Sequence, residues 1–396
     1  MRYRISVITG SRADYGLLKE LIKRLDQSDD FELDLVVTGS HLSGAFGNTE
    51  KEIKEDGFLS YSTLLLPDYG DAKEGMAKSA GEAVILFTDY FCRTQPAMVI
   101  VLGDRYEILG AAIAAHFLGI PIGHISGGDV TEGAVDDAIR HSITKFSNIH
   151  FPGCEQSRMR IIQMGENPEY VFNVGEPGVE NCLRMPLMSR KELAENLHFC
   201  GIMSEYAVVT FHPVTMEKNT GIEQVRNLKE AMEAFPDISY IITMANADAG
   251  GREINDFWKD EVGKHKNWLL VSSLGSGRYL SALKYAGFVL GNSSSGIVEA
   301  PAMGIPTVNI GDRQKGRMMA DSIISCSPRK NEIIRGIEQA RDDRFREKAK
   351  HVRSPFGNGN TSEMIEKHIL QFLKENHHTT EKRFYDIPFR LGENDG

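Results

Sequence analysis

The 396-residue sequence has only five cysteines, and none of them forms a Cys-x-x-Cys pair with another. An odd number of widely spaced cysteines argues against a disulfide framework and against a structural zinc site, because both need paired or clustered thiols. We therefore expect these thiols to be buried or unused, with a cysteine nucleophile as the weaker alternative. They are Cys92, Cys154, Cys182, Cys200 and Cys326.

Long apolar runs and an excess of positive charge are also missing. No segment approaches the roughly 20 uninterrupted apolar residues of a membrane-spanning helix. The apolar run at Ile5–Thr9 is too short for a signal peptide and predicts a first strand. The 45 Lys and Arg residues against 55 Asp and Glu give a net charge of −10, which argues against nucleic acid or a membrane surface as a partner. We therefore expect a globular, cytoplasmic protein.

Short apolar strands alternate with helical segments along the chain. Consecutive apolar positions in these strands are typical of parallel strands covered by helices on both faces. We predict an α/β protein with two doubly wound, Rossmann-like domains, 1–176 and 177–360, and a C-terminal helix and tail, 361–396. The domain boundary is placed where glycine and proline cluster at Gly175–Gly178, and the helix at Thr361–Glu375 is expected to pack on the first domain. The last strand predicted for the first domain is Tyr170–Val174.

Ligands of open α/β sheets bind beyond the carboxyl ends of the strands, so the residues that follow strands are the functional candidates. The first strand is followed by Gly10–Gly16, a turn into a helix whose free N–H groups suit a phosphate, with Arg12 as a second contact. A capped helix with a surface arginine explains this turn equally well. The Gly-x-Gly-x-x-Gly fingerprint is absent, which counts against a nicotinamide cofactor. Asp104 follows the strand at Met98–Leu102, and it is either a helix N-cap or a carboxylate at the base of a ligand site.

The densest group of acidic residues follows the predicted strand Ile122–Ile125. Four carboxylates lie within nine residues, and such crowding should raise the pKa of some of them, as general acid–base chemistry near neutral pH requires. A metal site and a plain solvated loop are the alternatives, although the spacing fits no calcium-loop signature. The four carboxylates are those of Asp129, Glu132, Asp136 and Asp137.

In the second half, His212 follows the predicted strand Tyr206–Phe211, and Asn246 follows Ile238–Met244. A histidine at this position could act as an acid, as a base or as a donor to phosphate. An isolated histidine is otherwise more often a structural residue.

A serine-rich turn follows the strand predicted at Phe288–Leu290. Ser293 and Ser294, together with backbone amides at a helix N-terminus, could hold a diphosphate, although no Walker motif is present. Glu299, one turn into that helix, would repel phosphate and is better suited to ribose hydroxyls. Arg313 lies in a cationic loop that could balance the diphosphate charge. A capped turn is the structural alternative for the serines.

Six motifs follow one another along the chain. They are Gly10-Ser11-Arg12-Ala13-Asp14-Tyr15, Gly103-Asp104-Arg105-Tyr106-Glu107, His124-Ile125-x-Gly127-Gly128, Asp136-Asp137-x-Ile139-Arg140-His141, Gly291-Asn292-Ser293-Ser294 and Gly311-Asp312-Arg313-Gln314. Each motif is weak alone, and the ordered set is specific. Together they resemble the motifs of the hydrolysing UDP-N-acetylglucosamine 2-epimerases, and the resemblance runs from residue 5 to about residue 390.

The resemblance implies a glycosyltransferase-B architecture of two domains facing a cleft, with UDP held mainly by the C-terminal half. The implied reaction turns UDP-N-acetylglucosamine and water into UDP and N-acetylmannosamine through a 2-acetamidoglucal, towards sialic acids, with no cofactor or metal. Members of the family usually assemble as homodimers or homotetramers. The implied acid–base groups are Asp104, Asp129, Glu132, Asp136 and His212, and the implied substrate contacts are Arg12, His41, Arg105, Asn246, Ser293, Ser294, Glu299 and Arg313.

Some relatives have a glutamate where this chain has Ser126, so the identity of the C2 base stays open. The substrate stays open too, because related enzymes act on UDP- or GDP-linked 2,4-diacetamido-2,4,6-trideoxyglucose on the route to legionaminic acid. Three further functions are compatible with the same motifs, namely a non-hydrolysing 2-epimerase, a glycosyltransferase of the same architecture and a non-catalytic sensor of nucleotide sugars.

Overall fold

Strands of three to eight residues, most of them apolar on consecutive positions, form two six-stranded parallel sheets in the part of the chain that the structure describes. The structure is a computed structural model that describes residues 2–42, 49–67, 69, 73–131, 135–213, 221–245, 251–375 and 380–388. It divides into an N-terminal unit, made of Met1–Val130, Val135–Pro177 and Asn360–Gly396, and a C-terminal unit, made of Thr131–Ala134 and Gly178–Gly359.

In the N-terminal unit the strands lie in the order β3-β2-β1-β4-β5-β6. This order confirms the predicted doubly wound fold, because the chain winds to one side of β1 and then crosses to the other. The strands are β1 Tyr3–Thr9, β2 Phe31–Thr38, β3 Ser62–Leu64, β4 Met98–Leu102, β5 Ile122–Ile125 and β6 Ile149–Phe151. The helices are α1 Arg12–Gln27, α2 Glu50–Glu55, α3 Lys73–Thr94, α4 Tyr106–Phe117, α5 Val135–Phe146 and α6 Glu155–Gln163.

The C-terminal unit repeats the same winding, with the strand order β12-β11-β10-β7-β8-β9. Its strands are β7 Tyr206–Thr210, β8 Ser239–Thr243, β9 Trp268–Val271, β10 Phe288–Gly291, β11 Thr307–Ile310 and β12 Ile323–Cys326. The helices after α6 are α7 Pro177–Arg184, α8 Arg190–Asn196, α9 Gly221–Glu233, α10 Gly251–Val262, α11 Gly275–Tyr285, α12 Ser295–Ala302, α13 Lys330–Arg341, α14 Asp343–Lys350 and α15 Thr361–Glu375. None of the helices in the described ranges combines the length and the apolar character needed to cross a membrane.

Helix α15 belongs to the N-terminal unit and packs against α1. Its buried face carries Ile365, Ile369 and Phe372, which join the core on one side of the sheet. At the rim of this contact, Arg24 Nε donates to Glu366 Oε2 at 2.8 Å. Helices α3 and α4 cover the opposite side of the sheet.

The prediction of a strand at Tyr170–Val174 is wrong. A short 3-10 turn occupies Pro168–Tyr170, and the residues after it run beside β6 with a single bridge, between Val171 and His150. The amides of Phe172 and Val174 do bond to the carbonyls of His150 and Pro152. Pro152 has no N–H to return a bond, so the ladder cannot continue and no strand forms.

The described tail, residues 380–388, is tied to the N-terminal unit around Glu166. The buried Glu166 carboxylate meets Lys145 Nζ at 2.5 Å, Lys382 Nζ at 2.6 Å and His150 Nε2 at 3.0 Å. Lys382 Nζ also donates to the carbonyls of Lys145 and Ser147, at the carboxyl end of α5. These contacts join the tail to α5 and β6.

We expect Glu166→Gln to lower the free energy of unfolding at pH 7 and to weaken its dependence on acid. Burial alone would raise the pKa of Glu166, but the hydrogen bond and charge of His150, the charge of Lys382 and the hydrogen bond from Lys145 lower it to about 2. Because the unfolded pKa is higher, this stabilisation is complete above about pH 5 and is lost as the pH falls towards 2. A shift of this size corresponds to about 3 kcal/mol.

Urea titrations of the wild type and the variant at several pH values between 2 and 7, followed by circular dichroism, would measure this effect. Glu169→Gln, at an exposed position nearby, is the matched control and should change stability by less than about 0.5 kcal/mol. An equal acid dependence in the wild type and Glu166→Gln would show that Glu166 does not contribute it.

Candidate active site

Both sheets collect polar side chains at the carboxyl ends of their strands. In the N-terminal unit the chain order reverses between the neighbouring strands β1 and β4, and in the C-terminal unit it reverses between β7 and β10. Ligands of doubly wound sheets bind at such reversal points. The residues that follow these four strands include Asp14, Asp104, His212 and Asn292.

A buried arginine organises the N-terminal group of carboxylates. Arg140, on α5, is 6% exposed at its side chain. Its guanidinium donates to Asp104 Oδ2 and, at 2.8 Å, to the carbonyl oxygen of Asp129, and it lies 3.7 Å from Asp137 Oδ1. The Arg140 guanidinium thus holds the residues that follow β4 and β5 against the start of α5. It can do so because the N–H groups of its planar fork point towards different acceptors.

The side chain of Asp129 is fixed from the other direction, since Ser157 Oγ donates to its Oδ1 at 2.5 Å. Asp136 lies in the exposed first turn of α5, where a negative charge is favoured by the helix dipole. Arg140 therefore brings Asp104 and the backbone of Asp129 together with the first turn of α5, in which Asp136 lies. Glu132 lies outside the described residues.

Arg105, rather than Asp104, is the N-cap residue of α4, and no side chain caps this helix. The helix-capping alternative for Asp104 is therefore wrong. Arg105 Nε meets Glu107 Oε1 at 2.5 Å and lies 3.9 Å from Asp14 Oδ2. Burial raises the pKa of Asp14 to about 6, against the lowering effect of the Arg105 charge. Asp14 is thus a carboxyl group able to exchange a proton near neutral pH.

Glu107 is fully buried, and its carboxylate leaves no room for a side chain on the backbone around it. A side-chain carbon at Gly39 would come within 2.7 Å of Glu107 Oε1, and Gly39 also has φ +60. Only glycine suits such a position without strain. The turn after β2, which carries His41, is therefore built around the Glu107 carboxylate.

His41 is buried, and both ring nitrogens bond to threonine hydroxyls, Nε2 to Thr9 and Nδ1 to Thr49, each at 2.9 Å. Burial lowers the pKa of His41 to about 4. Its contact with a sugar therefore stays a prediction that would require a change of partners. Arg12 begins α1 and pairs with Glu52 at 2.7 Å.

In the C-terminal unit the side chain of Asn292 joins the ends of β7 and β10. Its Oδ1 accepts from the His212 amide at 2.7 Å, and its Nδ2 donates to the His212 carbonyl at 2.8 Å. The Asn292 carbonyl accepts from Arg313 Nη1 at 3.1 Å and from Gln314 Nε2 at 2.9 Å. The loop after β11 is thereby held beside the reversal point.

Burial and the Arg313 charge lower the pKa of His212 to about 4, so the imidazole is neutral at pH 7. A neutral imidazole can still donate one hydrogen bond to an anion. Ser293 and the exposed Ser294 lie at the start of α12. Further along the same helix, burial raises the pKa of Glu299, whose carboxylate lies close to the backbone of Gly178. Asn246 lies outside the described residues.

Among the described residues, no group of three or more His, Cys, Asp or Glu side chains is arranged to hold a metal ion. The chemistry available to the described residues is that of carboxyl groups and arginines in the N-terminal unit, and of an anion-binding turn in the C-terminal unit.

Arg140, Glu107, Asn292 and Gln314 each position a predicted site residue, and none of them is predicted to do so from the sequence. A sequence signal for Arg140 does exist, because it lies four residues after Asp136 on a helix with one buried face. Side chains at this spacing share a helix face.

The chain matches the family model described as UDP-N-acetylglucosamine 2-epimerase over residues 23–370. It is 37% identical to the polysialic acid biosynthesis protein P7 of Escherichia coli, over 97% of this chain and 98% of that protein. It is 36% identical to the GDP/UDP-N,N'-diacetylbacillosamine 2-epimerase (hydrolyzing) of Campylobacter jejuni, over 87% of this chain and 89% of that protein.

A similar solved structure is the UDP-GlcNAc 2-epimerase from Neisseria meningitidis, a crystal structure bound to UDP-GlcNAc. It superposes with a TM-score of 0.79 at 18% identity, covering 93% of this chain and all of the other. At this identity the likeness concerns the fold, and it confirms the predicted glycosyltransferase-B type of architecture.

Proposed function

Because the chain belongs to the UDP-N-acetylglucosamine 2-epimerase family, we propose that it is a hydrolysing 2-epimerase that releases N-acetylmannosamine and UDP from UDP-N-acetylglucosamine and water. The observation that carries the proposal is the group held by Arg140, in which Asp104 and the loop bearing Asp129 meet the start of α5. The word "hydrolyzing" in the name of the Campylobacter jejuni relative supports the hydrolytic outcome.

The reaction begins with loss of the C2 proton while UDP departs from C1, which leaves a 2-acetamidoglucal. Water then adds across the double bond, with the opposite configuration at C2. Carboxylates that take and give protons are needed on both sides of the sugar carbon, and we assign this work to Asp104, Asp129, Glu132 and Asp136.

Departure of UDP places additional negative charge on the diphosphate, which cations and hydrogen-bond donors stabilise. We assign this stabilisation to Arg313, Ser293, Ser294 and His212. The neutral imidazole of His212 acts as a hydrogen-bond donor in this assignment. Arg12 adds a phosphate contact, Glu299 holds the ribose, and His41, Arg105 and Asn246 complete the substrate contacts.

A second candidate substrate is the UDP-linked 2,4-diacetamido-2,4,6-trideoxyglucose. The 36% identity to an enzyme named for diacetylbacillosamine favours it. The reaction is the same at C1 and C2, so the two substrates differ only in the groups recognised at C4 and C6.

The purified protein should release free UDP and a free 2-epimerised sugar from the nucleotide sugar alone. We would offer UDP-N-acetylglucosamine and the UDP- and GDP-linked diacetamido sugars separately, in deuterated water, and identify products by proton NMR. Deuterium at C2 of the released sugar is expected from the hydration step. A product still attached to UDP would indicate a non-hydrolysing enzyme, and a need for an acceptor would indicate a glycosyltransferase.

Asp104→Asn and Asp136→Asn should each lower sugar release by at least about a hundredfold, because an amide cannot take or give the proton. Binding of UDP, measured by calorimetry, should persist in both variants. Glu155→Gln, which replaces a partly exposed carboxylate at the start of α6, is the matched control and should keep full turnover. Turnover near the wild-type rate in either aspartate variant would remove that residue from the mechanism.

Arg313→Ala should weaken UDP binding by about tenfold to a hundredfold, since a charge-assisted contact to phosphate contributes roughly 1.5–3 kcal/mol. Arg335 lies on the exposed face of α13 and pairs with Glu332 of the same helix, so Arg335→Ala should leave UDP affinity unchanged. Equal UDP affinity in the wild type and Arg313→Ala would refute the phosphate contact.

A further inference from the structure

Glu176 supplies one more carboxylate to the edge of the N-terminal sheet, beyond those that the motifs identify. The segment before it runs beside β6, with the Val174 amide bonded to the Pro152 carbonyl at 3.2 Å. Glu176 therefore follows this segment at the same end of the sheet as the residues that follow β4 and β5. This is the end at which doubly wound sheets bind their ligands.

The side chain of Glu176 reaches back across β6 to the loop after β5. Its Oε2 accepts a hydrogen bond from Ser126 Oγ at 2.7 Å. It passes over Gly153, where any side-chain carbon would overlap the carboxylate. Glycine at this position is thus a condition for the contact.

Both partners of this hydrogen bond have fixed backbones. Ser126 has φ +58, a left-handed conformation that is unfavourable for a residue with a side chain, and its amide bonds to the Phe151 carbonyl at 3.0 Å. The buried hydroxyl of Thr361 donates to the Val174 carbonyl at 3.0 Å and to the Glu176 carbonyl at 3.4 Å. The strain at Ser126 is of the kind that accumulates at functional sites.

Glu176 also lies close to the predicted acid–base group. Burial raises the pKa of the Cys154 thiol, and the negative charges of Asp129 and Glu176 raise it further. Asp129 and Ser126 lie three residues apart in the same loop. The half-buried Glu176 carboxylate and Asp129 therefore both act on Cys154, and Glu176 contacts the loop that bears Asp129.

We propose that Glu176 and Ser126 form a proton-accepting pair for the C2 proton, an assignment that rests on the proposed function. As the C2–H bond breaks, its proton moves to Ser126 Oγ while the proton of that hydroxyl moves to Glu176 Oε2. The electron pair of the C–H bond forms the C1=C2 double bond, and the C1–O bond breaks with its pair going to the diphosphate. Glu176 later releases its proton to solvent, which balances the charge gained by the departing UDP.

Glu176→Gln tests the pair directly, because the amide oxygen still accepts from Ser126 but cannot take a proton. We expect kcat to fall by about a hundredfold to ten-thousandfold, as is typical for loss of a general base. We also expect KM to stay within about threefold, since such a group acts in the transition state. The kinetic isotope effect with substrate deuterated at C2 should increase. Ser126→Ala should lower kcat in the same way.

A role limited to positioning the loop predicts a different result, namely that Glu176→Gln keeps a kcat within about threefold of the wild type, because the hydrogen bond is preserved. That result would overturn the proposal. Glu169→Gln serves as the matched control at an exposed carboxylate of the same unit and should leave kcat and KM unchanged.

Adding formate to the Glu176→Ala variant distinguishes loss of the proton acceptor from loss of activity through misfolding. A small carboxylate that enters the space left by the side chain should raise the rate of this variant at least tenfold, whereas the rate of a misfolded variant would not rise. Absence of rescue in a Glu176→Ala variant whose circular dichroism spectrum and UDP affinity match those of the wild type would overturn the proposal. The wild-type reaction distinguishes this proposal from the proposed function: if the wild type releases no free sugar, the proposed function fails, and if the wild type and Glu176→Gln release it at similar rates, only the role of Glu176 fails.

Discussion

The arrangement of the N-terminal unit depends on one buried guanidinium, that of Arg140. It binds a carboxylate that follows β4, a carbonyl that follows β5 and, more loosely, an aspartate of its own helix. Removing one partner of a buried charge pair leaves the other uncompensated, at a cost of about 3–5 kcal/mol. Two strand ends and α5 are therefore held together by a single side chain, and the carboxylates can gather without being driven apart by their mutual repulsion.

The C-terminal unit solves the same geometric problem with a neutral group. There the amide of Asn292 joins two strand ends through paired bonds to the backbone of His212, and Arg313 and Gln314 bond to the Asn292 carbonyl. A neutral amide satisfies the backbone groups without a buried charge. Arg313 brings to this carbonyl a guanidinium, whose N–H groups form a planar fork. At equivalent places in the same winding, the N-terminal unit thus has a charged Arg140–carboxylate group and the C-terminal unit a neutral amide. The first arrangement suits proton transfer and the second suits anion binding.

Much of this could be predicted from the sequence, because strands that are apolar on consecutive positions identify a parallel sheet and the residues after them identify its functional edge. The failures have local physical causes. Asp104 resembles a helix cap by position, but α4 begins one residue later, at Arg105. The apolar run at 170–174 resembles a strand, but Pro152 across from it has no N–H to bond.

Other features depend on contacts between residues far apart in the chain, and sequence spacing does not show these. Glu176 and Ser126 are separated by 50 positions, and the sequence pattern around Glu176 predicts only a hinge. Glu107 and Asn292 position other residues through buried contacts. Their importance follows from burial and from bond partners, which single-sequence reasoning does not provide.

The N-terminal unit is discontinuous in the chain, and this affects how the protein is made. Synthesis proceeds from the amino terminus, and domains generally fold as units while the chain emerges from the ribosome. The last helix and tail, which cover α1 and bind Glu166, are translated after every residue of the C-terminal unit. The half of the protein that is translated first is thus the last to be completed, and until then its nascent chain exposes the apolar surface that Ile365, Ile369 and Phe372 will cover.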